Sequence, residues 1–323
     1  MRYAIPFLAL AALAAACAPR LQTVGPPLAA PALDGAALIA ADGARLPLRR
    51  WLPDGAPEAV VVALHGFNDY SNAFADTGAT LAARGVAVYA YDQRGFGATA
   101  RPGLWAGTEA MVADLAAMAA LARGRHPDAP LYLLGDSMGG AVVMTALARG
   151  AAGPVAGAVL VAPAVWGRET MNPFTRAALW LGAHTVPWLT LSGRGLDITP
   201  SDNTEMLIAL GRDPLVIKET RIDAIHGLVD LMDAALDAAP QIATPLLVLY
   251  GAHDEIIPKA PTALMLDRLA GPRAVAVYPD GYHMLLRDLQ ANVVHEDLAA
   301  WIAAPGAPLP SGHDRDWRRF LEE

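Results

Sequence analysis

Residues Leu131 to Val143 read LYLLGDSMGGAVV, an apolar run that stops at a serine fenced by glycines. With five serines and 29 glycines in 323 residues, a G-x-S-x-G pattern arises by chance in about 4% of such chains, so its surroundings must decide its meaning. A β-favouring run enters the motif, and the helix-like MGGAVVMTALARG leaves it. In a strand-to-helix turn, Gly135 and Gly139 remove the side chains that would collide where the backbone bends most tightly. Ser137 is then left exposed at the strand's carboxyl end. The following helix points its positive pole at the serine oxygen. The stretch therefore predicts a nucleophile elbow.

On either side of the elbow, short β-rich runs alternate with helical stretches: AVVVALHG, VAVYAYD, LYLLGDS, AGAVLVAP, PLLVLYG and RAVAVYPD. Runs that are apolar at every position belong to a parallel sheet covered on both faces. Helix punctuation fills the intervals, as in Thr108 to Gly124, where Met111, Leu115 and Met118 share a face. Asp42-Gly43 predicts a hairpin ahead of the first parallel strand. The fold class is α/β with a mainly parallel sheet. Residues 165–243 break the rhythm: they hold Trp166, Met171, Phe174, Trp180 and Trp188 but no β-rich run, and are too long for a loop. They are expected to form an inserted helical cap between two parts of the core, 35–164 and 244–305. Residues 18–34, rich in Pro and Ala, are expected to be a tether, and 306–323 a tail.

A serine hydroxyl needs a base to take its proton, and the base needs a carboxylate to orient it. LLVLYGAHDEIIP ends a β-run at Asp254, with Glu255 as a second candidate, and AVAVYPDGYHML ends one at His283. The order Ser137, Asp254, His283 is that of an α/β-hydrolase triad. Attack on a carbonyl also requires preset N–H donors for the developing oxyanion. Met138, first in the helix after the nucleophile, and Phe67 in ALHGFNDYS are placed to supply them. Here Gly66 admits close approach of the backbone, and His65 is expected to be a structural support. Asn68, Trp166 and Phe174 are candidates for lining the substrate pocket. His126, His295 and His313 are expected at the surface.

HGFNDYS, YDQRGFG, GDSMGG, GAHDEIIP and YPDGYHML, in this order over about residues 35 to 303, resemble the monoacylglycerol lipase and lysophospholipase branch of the α/β-hydrolases, the serine-aminopeptidase-like group. The resemblance implies the α/β-hydrolase fold with a cap shaping an acyl pocket, Ser137, Asp254 and His283 as triad, and Phe67 and Met138 as oxyanion donors. It implies a serine esterase acting on medium or long acyl chains through an acyl-enzyme. In YDQRGFG, Asp92 and Arg94 are expected to stabilise a loop. The chain departs from the group at Asp136, where relatives often have histidine, and at Tyr70, where a second histidine often stands. Two other readings remain at this stage: an acyltransferase passing the same acyl-enzyme to an alcohol, and a binding protein on the hydrolase scaffold.

Composition agrees with a small-molecule ester as partner. A net charge of -8 with 17% charged residues argues against nucleic acid. GFGATA mimics a dinucleotide fingerprint, but Pro102 and Gly103 stand where its helix must begin. No metal motif is present, and the reading asks for neither metal nor cofactor. The start, MRYAIPFLALAALAAACAP, has one arginine, an apolar run suited to a secretory signal, and the chain's single cysteine. Cys17, with Leu13 four places before it, resembles a bacterial lipobox, so residues 1–17 predict export with lipidation of Cys17 as a membrane tether. The expected location is the periplasmic face of the outer membrane; ordinary cleavage would instead give a soluble periplasmic or secreted protein. Nothing in the sequence fixes the oligomeric state.

Overall fold

The computed structural model describes residues 18–193, 195, 197–315 and 317–322. Cys17 and the expected signal segment lie outside them. The chain opens with three antiparallel strands, β1 (Ala32–Asp34), β2 (Ala37–Ile39) and β3 (Arg45–Trp51). Asp42 and Gly43 turn β2 into β3, and Gly43 takes the left-handed φ of 79° that such a turn demands. Then come β4 (Ala59–Leu64), α1 (Ala75–Ala82), β5 (Val86–Tyr91), α2 (Thr108–Arg125), β6 (Leu131–Asp136), α3 (Met138–Ala148) and β7 (Gly157–Val161). The inserted segment holds α4 (Pro173–Thr185), β8 (Thr190–Ser192), α5 (Thr204–Arg212), β9 (Glu219–Arg221) and α6 (Ile222–Ala238). The core resumes with β10 (Leu246–Gly251), α7 (Lys259–Arg268), β11 (Arg273–Tyr278), α8 (Ala291–Ala303) and α9 (Trp317–Glu322).

The main sheet has nine strands in the order β1-β2-β3-β5-β4-β6-β7-β10-β11, parallel from β5 to β11. Period-two alternation divides the apolar runs between two cores. Val60, Val62, Leu131, Leu133 and Leu160 face α2, α3, α6 and α7. Val61, Leu134, Val159 and Leu249 face the other way, onto α1 and α8. In α2, Met111, Leu115, Met118 and Ala122 recur at helical spacing and are all buried, which fixes this helix against the sheet. The parallel strands end together at their carboxyl edge, where β4, β6, β10 and β11 deliver the loops that matter below.

Three expectations are corrected, and the packing of the tail is added. The segment 18–34 is no free tether: Gln22 N–H donates to the Trp105 carbonyl at 2.8 Å, Leu28 N–H to Ala41 O at 2.7 Å, and β1 extends the sheet. Its Pro-Ala composition lacks periodicity because it lies along the surface as an edge. The insertion is not purely helical, since β8 and β9 pair as a small antiparallel ribbon. Its last helix, α6, sends Leu231, Ala235 and Leu236 into the first core, so its inner half is part of the hydrolase body. Finally, the tail is packed: Val277 N–H donates to His313 O, and the Ser311 hydroxyl donates to Asp297 at 2.5 Å. No helix among the described residues is long and apolar enough to cross a membrane.

Candidate active site

Ser137 sits between β6 and α3 with φ 50° and ψ −113°, a left-handed conformation that costs a non-glycine residue about 1–3 kcal/mol. Neighbouring backbone holds it there. Its N–H donates to Val161 O at 2.8 Å, and its carbonyl accepts from Ala164 N–H at 2.9 Å. The flanking glycines are sterically required: a Cβ on Gly139 would run into the Leu64 carbonyl, and one on Gly135 into the backbone of Gly139 and Gly140. β4 and α3 therefore approach more closely than any side chain permits.

His283 follows β11, and its Nδ1–H donates to Asp254 Oδ2 at 2.8 Å. The other oxygen, Oδ1, accepts the N–H groups of Ile256 and Ile257 at 2.8 and 2.9 Å. The carboxylate is thus fixed in plane, and the imidazole is fixed with it. Burial alone would lower the His283 pKa, but the charge and hydrogen bond of Asp254, with the charges of Asp136 and Asp288, raise it above the usual imidazole value. Glu255, the second candidate acid, instead accepts from Thr199 N–H at 2.6 Å and is exposed. Ser137 and His283 face one cavity. Among the described residues no hydrogen bond joins the two side chains.

Gly66 lies against the serine: a Cβ there would stand 3.4 Å from Ser137 Cβ. The next residue, Phe67, wedges its ring against Phe96 and Trp105, with centroids 5.5 and 6.2 Å away. Among the described residues, neither Phe67 N–H nor Met138 N–H is spent on a protein acceptor, so both remain available to an oxyanion. His65 is a support. Its Nε2 accepts from Gln93 N–H at 2.9 Å, its Nδ1 meets Gly66 O at 2.8 Å, and burial depresses its pKa. Asn68 lines the cavity but also donates from Nδ2 to Thr220 Oγ1 at 2.7 Å, while its carbonyl accepts Ile217 N–H. It therefore joins the loop after β4 to the cap.

The cavity at Ser137 measures about 260 Å³ and opens beside an apolar chamber of about 470 Å³. Leu228, Met232, Ile256 and Ile257 line both. Trp166 and Met171 line the chamber, but Phe174 does not: it is 88% exposed. The inward stripe of α4 runs through Thr175, Leu179 and Ala183, and Phe174 falls off it. His295 departs from expectation in the other direction, being buried with its Nε2 3.0 Å from Thr77 Oγ1. Sequence reasoning missed the part-buried ion pair of Arg287 with Asp69 and the positions of Ile256 and Ile257. The last two stood within the quoted DEIIP motif, whose apolar pair directly after the acid was the available signal.

Residues 55–290 match the family described as serine aminopeptidase, S33. A monoacylglycerol lipase of Mycolicibacterium smegmatis is 30% identical over 266 residues, covering 81% of this chain and 94% of that protein. The monoglyceride lipase of Homo sapiens is 26% identical over 274 residues, covering 82% and 89%. Among solved structures, a monoglyceride lipase from Saccharomyces cerevisiae, bound to a substrate analog, superposes with a TM-score of 0.70 at 21% identity, covering 88% of this chain and 96% of that one. A monoacylglycerol lipase from Paleococcus ferrophilus gives 0.67 at 24% identity, covering 80% and 98%. These two likenesses establish the shared fold.

Proposed function

The chain belongs to the serine aminopeptidase, S33, family of α/β-hydrolases, and on that premise we propose that Ser137, His283 and Asp254 hydrolyse monoacylglycerol-like esters of medium or long acyl chains. It is a carboxylic ester hydrolase, similar to monoacylglycerol lipases. The observation that carries the finer reading is the joining of two spaces at one serine: a chamber walled by carbon on one side, polar groups on the other.

The steps follow from the geometry. Ser137 Oγ attacks the ester carbonyl carbon while His283 Nε2 takes its proton. The Phe67 and Met138 N–H groups receive the negative oxygen, and Asp254 holds the imidazolium. Collapse breaks the bond to the alcohol, which leaves with the proton from His283. Water then repeats the sequence on the acyl-enzyme and releases the fatty acid. The apolar chamber takes the acyl chain, whose burial contributes about 0.8 kcal/mol per CH₂.

The test is a chain-length series of glycerol and p-nitrophenyl esters with the wild type and Ser137→Ala. Turnover should fall by about 10⁶ in the variant, and a fluorophosphonate should label Ser137 alone. Retained turnover in purified Ser137→Ala defeats the assignment. Product analysis with added glycerol separates hydrolysis from acyl transfer.

We also propose that residues 1–17 direct export and that lipidation of Cys17 holds the enzyme at the periplasmic face of the outer membrane. The exposed Trp180, Leu181 and Trp188 on the cap support work beside a lipid surface. Mass spectrometry of the mature N-terminus checks this, and an unmodified or uncleaved terminus refutes it.

A further inference from the structure

Asp136, immediately before the nucleophile, faces the catalytic cavity at 8% exposure. Among the described residues its carboxyl has no hydrogen-bond partner, whereas the other carboxylate lining the cavity, Asp69, accepts from Arg287, and Asp254 behind it is held by His283 and two backbone N–H groups. Its Oδ2 and the Ser137 Cβ flank the same point, 3.6 and 3.4 Å from where a Cβ on Gly66 would stand. The Asp136 oxygens are not sealed off inside the protein, so beside the reacting serine the carboxyl is an acceptor left open to a donor from a ligand.

The cavity is divided. Four of its apolar residues are shared with the acyl chamber, and away from them, beside Phe67 and Met284, it presents Asn68, Asp69, Asp136 and Arg287. With the ester carbonyl at Ser137 and the acyl chain in the chamber, the alcohol half of the ester is left against this polar wall. Arg287 bonds to Asp69 through one Nη and lines the same cavity. An acceptor and a donor on one wall suit hydroxyl groups, which both donate and accept, whereas a cationic head group would meet the guanidinium.

We propose that Asp136 is a specificity-determining residue, accepting a hydrogen bond from a free hydroxyl on the alcohol side of the ester so that polyol esters are preferred over simple alkyl esters. This rests on the ester hydrolase reading above. Burial raises the Asp136 carboxyl to about 6, against the opposing charges of His283 and Arg287 and with the like charges of Asp69 and Asp254. The acceptor is therefore at full strength only above that pH.

The experiment compares kcat/KM for the glyceryl, methyl and choline esters of one acyl chain in wild type and Asp136→Asn. In wild type the glyceryl-to-methyl ratio should rise as pH passes upward through about 6, because the ionised carboxylate is the stronger acceptor. In Asp136→Asn the ratio should fall about tenfold at pH 8 and lose this pH dependence. An unchanged ratio overturns the proposal. So does an equal fall for all three esters with a displaced acid limb, which would mean that Asp136 acts through His283, and so does a choline ester preferred over the glyceryl ester. If wild type turns over none of the esters, the hydrolase reading fails as well. A readout that needs no variant is protection of wild-type Ser137 from a fluorophosphonate. Glycerol should protect better than 1-propanol, by a margin that widens above pH 6, and equal protection at every pH overturns the proposal.

Discussion

At Ser137 the proposed nucleophile owes its position to a strained backbone, and the histidine proposed as its base has its charge state governed from behind. Because the base must be neutral to accept the serine proton, while Asp254 raises its pKa, kcat/KM should decline as pH falls through a value above the ordinary 6.5. Asp254→Asn removes the charge that raises it; kcat should fall by about 10⁴, with the acid limb moving to lower pH. A pH–rate profile checks both, and an unmoved limb would show that Asp254 does not set the titration. The three residues were legible because each ends a β-run within a recognisable motif. Asp69 and Arg287 were not: their pairing spans 218 positions, and nothing local to either announces the other. Phe174 was misjudged for a related reason, since an apolar residue in an amphipathic segment declares a preference for burial without declaring which side of the helix it occupies.

Among the elements, the elbow and the loop after β5 show how much of the site depends on close approach. Gly139→Ala places a methyl group inside the Leu64 carbonyl, a backbone atom that cannot move aside cheaply. The variant should lose about 3 kcal/mol of stability and most of its activity, read by thermal melting and ester turnover. Arg94 bonds to Asp114 on α2 at 2.6 Å in a buried pair and to Asp42 of the β2–β3 turn at 2.7 Å in a part-buried one. Arg94→Ala leaves two carboxylates without their cation and should cost about 3–5 kcal/mol in a denaturant titration. The six parallel strands could be read because central strands are apolar on both faces and bounded by turn residues. β1, β8 and β9 escaped because three-residue strands at an edge or in a ribbon have no period to detect. The boundary of the insertion was likewise hidden, since α6 carries cap residues on one flank and core residues on the other.

Across the whole molecule, the cap is tied to the catalytic loops. Tyr70 donates to Asp213 at 2.7 Å, and Asn68 donates to Thr220. The front of the chain is tied down too, which predicts that a protein beginning at Ala32 melts below one beginning at Ala18, by about 1–2 kcal/mol for the lost backbone hydrogen bonds. Equal melting temperatures would show that these contacts are loose in solution. Arg20 N–H bonds to Asp223, at the foot of the helix whose Leu228 and Met232 roof the catalytic cavity. A pull exerted on the leading end is therefore passed to the same helix that walls the catalytic cavity, so strain applied at one extremity of the described chain reaches the substrate's surroundings through a single element.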